Sequence, residues 1–84
     1  MNTYWHREKL KALILYLISN TEHEMELQEI MDKLFIIDFN AMGKLGNSIT
    51  GSTYIKTRRG VKIRGIETVI REMVHEKMIK PLTI

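Results

Sequence analysis

Three kinds of side chain in this sequence are suited to chemistry: an acid inside an apolar run, three scattered histidines, and a dense set of cations. The acid is Asp38, within Phe35-Ile36-Ile37-Asp38-Phe39. Four helical residues after Leu34 it faces inward, where a carboxylate is costly unless hydrogen bonds or a cation satisfy it. As a pocket acid it would need a second titrating partner to do acid–base work. The alternative is an internal tie that accepts backbone N–H groups or a basic residue from the following loop, and this is the reading favoured here. His6, His23 and His75 fall in separate elements without His-x3-His spacing, which leaves them as surface residues and assigns no metal. Ser48 and Ser52 sit near glycines, but no histidine lies nearby in sequence to activate either, so both read as turn formers. There is no cysteine, no Gly-x-Ser-x-Gly elbow and no phosphate-cradling loop. No catalytic residue and no cofactor are assigned, and the chain is not expected to be an enzyme.

The cations are more informative. Residues 39–66 hold six Lys/Arg and no acid, whereas residues 1–38 hold four Lys/Arg against seven acids and residues 67–84 hold three of each. The formal charge of +3 therefore hides a strong segregation, and overall charge is a poor guide to partners. Lys56, Arg58, Lys62 and Arg64 alternate with Ile55, Thr57, Val61 and Ile63, and Arg59 stands beside Gly60. In a hairpin this alternation predicts apolar residues on one face and cations on the other.

The elements that must position these groups follow from periodicity. Asn2 or Thr3 can cap a first helix with apolar positions Trp5, Leu10, Leu13, Ile14, Leu17 and Ile18, Lys9 and Lys11 facing out, and Ser19-Asn20-Thr21 ending it. Ala12–Ile18 is apolar nearly all round, which predicts a central helix touched on several sides. A second helix begins near Glu24–Glu26 and carries the stripe Leu27, Ile30, Met31, Leu34, Phe35, Asp38 and Met42, with Gly43 and Gly46 as stops. Thr53–Thr57 and Val61–Ile63 form two short strands joined by a three-residue loop, Arg58-Arg59-Gly60. A third helix carries Ile66, Val69, Ile70, Met73, Val74 and Met78 until Pro81 stops it. The fold class is mainly α: three helices around one core, with a short hairpin between the second and third, the 84 residues making one domain. The methionines at helical spacing read as core filler, and Trp5 as a lid on the open end of the core.

Lys33-Leu34-Phe35, Asp38-Phe39, Gly46-Asn47-Ser48-Ile49-Thr50-Gly51 and Tyr54 together resemble the signature of the Panacea domain, the SocA-like antitoxin domain. The likeness begins at Leu13-Ile14-Leu15-Tyr16-Leu17 and runs to the end of the third helix. Two departures stand out: Gly60 is followed directly by Val61, where the family commonly has Gly-Pro-Val, and the chain is shorter than many members. The resemblance implies a mainly helical, non-enzymatic domain of bacteria and their mobile elements that neutralises toxins by direct contact. It makes Lys33, Asp38, Gly46, Thr50, Gly51, Tyr54 and Gly60 framework positions. The residues themselves suggest matching duties: special backbone angles for the glycines, a turn hydrogen bond for Thr50, and a hairpin-to-helix pin for Tyr54 and Asp38.

These readings predict a protein-binding inhibitor of the antitoxin kind, with Lys56, Arg58, Arg59, Lys62 and Arg64 among its contacts and a toxin or effector as partner. A mobile-element inhibitor of a host defence or nucleic-acid enzyme is a related reading. A winged-helix-like DNA-binding regulator is the rival from another class; against it, the hairpin precedes the last helix, whose charge is mixed. The cations could equally be a solvated face. The hairpin edge could pair with a second copy. Absence of cysteine suits a cytoplasmic setting, and no apolar run is long enough to cross a membrane.

Overall fold

A computed structural model of the chain describes residues 5–82. It contains α1 (Arg7–Ser19), α2 (Leu27–Leu45), β1 (Tyr54–Thr57), β2 (Gly60–Ile63) and α3 (Ile66–His75), the order expected from the sequence. Asn2 and Thr3 lie outside the described residues; the N-cap position is taken by His6. Leu10 and Ile14 of α1, Leu27, Ile30, Met31 and Leu34 of α2, Ile63 of β2, and Ile66, Val69 and Met73 of α3 form one buried cluster, joined by Met25 from the α1–α2 loop. Each such side chain contributes roughly 1.5–3 kcal/mol by leaving water, and Trp5 and Tyr54 pack against its margin. Among the described residues no helix is long and apolar enough to cross a membrane.

Three local expectations change. In α1, Lys11 is buried and Ala12 and Tyr16 are exposed, so one strip of the helix meets solvent while Leu13, Leu15, Leu17 and Ile18 pack against the core. Lys11 lays its methylene stem along the core and places Nζ 3.1 Å from Glu72 of α3 and 3.3 Å from Glu76, the residue that caps that helix. Arg7 pairs with the same Glu72 and stacks 5.2 Å over the Trp5 ring. In α2, Ala41 and not Met42 continues the buried stripe, and Phe35 and Met42 emerge at the surface. In α3 the stop comes at His75, well before Pro81. Met78 N–H donates to Met73 C=O at 2.9 Å and Lys77 N–H to Val74 C=O at 3.0 Å, with Lys77 at φ 62°. That is a Schellman cap whose left-handed position holds a lysine.

Gly46 does end α2, at φ 81° with its N–H on Met42 C=O. Gly43 stays inside the helix.

Candidate functional site

The basic hairpin is fixed to α2 by two sets of hydrogen bonds. The first centres on Asp38, which is almost fully buried. Its Oδ1 accepts the N–H groups of Ile49 (2.8 Å) and Thr50 (3.1 Å), and its Oδ2 accepts the hydroxyls of Thr50 and Tyr54, each at 2.5 Å. Four donors satisfy the carboxylate without a cation, so Asp38 is the internal tie and not a pocket acid. Tyr54 also lies 3.2 Å from the Leu34 carbonyl. Burial first, and the neighbouring Asp38 carboxylate second, push the Tyr54 hydroxyl well above its ordinary pKa of 10.0. Gly51 turns the connecting loop at φ 68° and gives its N–H to Ser48 Oγ at 2.9 Å. The two serines serve turns, as expected, with Ser52 Oγ 2.8 Å from Thr50 Oγ1.

The second set was not foreseen from the sequence. Gln28 Nε2 donates to the Val61 carbonyl at 2.8 Å, and Val61 N–H donates to Asp32 Oδ1 at 3.0 Å. Two side chains of α2 thus occupy the outer edge of β2 as a third strand would. Gly60 makes this approach feasible: at φ 130°, a Cβ there would lie 2.7 Å from Asp32 Oδ1 and 2.9 Å from Gln28 Nε2. Gln28 and Asp32 look like ordinary surface positions on a helix, and only the pairing of a carboxamide with a carboxylate four residues on hints at a shared target.

These anchors decide the register, and the register corrects the expected distribution of charge. Arg58 and Arg59 alone form the turn, and Gly60 pairs with Thr57. Tyr54 faces Ile63, Ile55 faces Lys62, and Lys56 faces Val61. Opposed residues share a face, so Lys56 lies on the side of Tyr54 and Ile63 while Lys62 lies on the side of Ile55. A three-residue loop would have put the cations together; one residue less reverses β2 against β1. The physical cause is Tyr54, which must point inward to reach Asp38. The cations therefore surround the ribbon and cluster at its tip.

All five predicted contact residues are exposed. Lys62 Nζ pairs with Glu67 at 3.7 Å. Lys56, Arg58, Arg59 and Arg64 form no ion pair among the described residues, while Glu72 of α3 and Glu76 just beyond it are engaged by Arg7 and Lys11. The turn is held at its base by Thr57, whose Oγ1 accepts from Arg59 N–H at 3.2 Å and donates to the Gly60 carbonyl at 2.8 Å.

Of the remaining framework positions, Asp38, Thr50 and Tyr54 come together, Gly46, Gly51 and Gly60 adopt positive φ, and Lys33 stands apart on the exposed side of α2. The three histidines are exposed and separate; His23 lies 2.9 Å from Glu29. The described residues contain no group of three or more potential metal ligands. A feature the stripe analysis missed is the second apolar face of α2: Phe35 stacks on Phe39 with centroids 5.9 Å apart and meets Tyr54 edge-on at 5.3 Å. Ile36 and Met42 extend it in the open. The signal was present, since Phe35 to Phe39 is apolar on every side except Asp38. No family model, curated protein or solved structure matches this chain.

Proposed function

We propose that this chain is a non-enzymatic protein-binding inhibitor of the antitoxin kind, which neutralises a toxin or effector by direct contact through the tip of its basic hairpin. The observation that carries the reading is the combination of charge and rigidity at that tip. Lys56, Arg58 and Arg59 are exposed without a carboxylate partner among the described residues, on a ribbon tied to α2 through both Asp38 and Val61. A solvated face needs cations, but it does not need the strands that carry them tied to a helix. Pre-ordering lowers the entropic cost of binding, and a positive tip steers encounter with an acidic partner. The resemblance of the Asp38, Thr50, Gly51 and Tyr54 constellation to the Panacea domain supports the antitoxin form of the reading. The polar side of α3 is poor for entering a groove of DNA, because Glu72 and Glu76 project there beside Arg7 and Lys11.

The test is coexpression with the product of the adjacent gene, read as growth. The chain restores growth, and the Arg58→Glu/Arg59→Glu double variant loses most of that protection while keeping its melting temperature. Full protection by the double variant would remove the hairpin from the mechanism. A mobility shift with duplex DNA at two salt concentrations distinguishes the rival: sequence-specific, steeply salt-dependent retention would replace protein binding by DNA regulation.

A further inference from the structure

We infer that the outer face of α2, from Phe35 to Gly43, is a second contact surface that seats an amphipathic helix of a protein partner, apolar along its centre and acidic along one flank. The inference deepens the protein-binding reading and rests on it. Ile36 is 57% exposed, Phe39 65% and Met42 48%. Ile36, Phe39 and Gly43 recur at helical spacing on one side, and Phe35, Phe39 and Met42 on an overlapping one. The patch is therefore a continuous stripe, unlike the single apolar residues that any surface carries.

Two features of the molecule say what covers it. The first is Gly43. It lies inside α2, yet a Cβ at this position would meet no atom within 4 Å. Alanine would fit the free molecule and hold the helix better, so nothing inside the chain requires a glycine here. A gap beside Phe39 and Ile36 is what lets a second helix approach with its backbone close. The second observation is charge. Beyond Asp38, α2 carries Lys44 and no acid, and residues 39–66 contain no acid at all. Lys33 lies on the same exposed flank as Lys44. Two copies of α2 packed antiparallel about Phe39 would bring Lys33 of each towards Lys44 of the other, whereas one acidic flank would complement both. The occupant is thus an acidic helix and not a second copy.

The test uses two designed amphipathic helices with the same leucine–alanine face, flanked by glutamate in one and by lysine in the other, titrated by fluorescence anisotropy into the full chain. The glutamate-flanked helix binds at least about tenfold more tightly than the lysine-flanked one. Gly43→Leu weakens it by at least about tenfold while raising the melting temperature, a pairing that a merely structural glycine would not give. Binding of neither helix, equal binding of both, or unchanged binding by Gly43→Leu overturns the inference. So does sedimentation as a dimer that Phe39→Asp converts to monomer. If the adjacent-gene product is still neutralised by Gly43→Leu but not by the hairpin double variant, this surface fails and the protein-binding reading stands.

Discussion

At the scale of single residues, most of the hairpin's position depends on Asp38. Its four donors are a buried N–H, a partly buried N–H and two hydroxyls. Removing one donor from a buried carboxylate costs about 1–3 kcal/mol, a large share of the 5–15 kcal/mol typical of a small domain. Tyr54→Phe should therefore lower stability by about that amount in urea. It should also change the alkaline limb. A hydroxyl whose folded pKa is raised keeps its proton in the folded state, so its contribution is complete below its ordinary value of 10.0 and is lost as pH rises beyond it. Lys11, held above its ordinary 10.5 by Glu72 and, less strongly, Glu76, loses stability in the same direction at higher pH. Denaturation midpoints measured from pH 8 to pH 11 should fall for the wild type and fall less for Tyr54→Phe. The carboxylate tie was legible in the sequence because burial alone demands partners for Asp38, and the following loop is the only nearby source of free N–H groups. Lys11 was not legible: its partner Glu76 lies 65 residues away, and a lysine among exposed neighbours gives no sign of being folded inward.

At the scale of elements, the helices were readable and the hairpin register was not. Helix periodicity is a local property, so Leu27, Ile30, Met31 and Leu34 identify the buried side of α2 without knowledge of the rest. Register depends on partners remote in sequence: Tyr54 on Asp38 at one end, and Val61 on Gln28 and Asp32 at the other. The local pattern of alternating cations admits either loop length, and α2 selects between them. Helix ends follow the same division. Gly46 announces the end of α2, whereas the end of α3 is made by Lys77 in a conformation that costs a residue with a Cβ about 1–2 kcal/mol. Lys77→Gly relieves that cost and should raise stability by about 0.5–1 kcal/mol, with a higher urea midpoint and an unchanged slope. A lower midpoint would mean that the lysine side chain contributes more than its backbone loses.

At the scale of the whole molecule, charge is sorted by the fold as well as by the sequence. Glu72 of α3 and Glu76 just beyond it are engaged by Arg7 and Lys11 of α1, and the acid-free segment projects from α2 as a positive tip beside an open apolar stripe. Only Lys62 of the five hairpin cations has a carboxylate within reach among the described residues. This arrangement concentrates long-range attraction at Lys56, Arg58 and Arg59, where it acts on encounter more than on the final complex. The most direct measurement is the association rate with the neutralised partner as a function of salt. The wild type should associate rapidly at low ionic strength and slow steeply as salt is added. Arg58→Glu/Arg59→Glu should associate at least about tenfold more slowly at low salt, with a dissociation rate changed far less. Equal association rates for the two proteins, or a wild-type rate indifferent to salt, would contradict a recognition role for the hairpin.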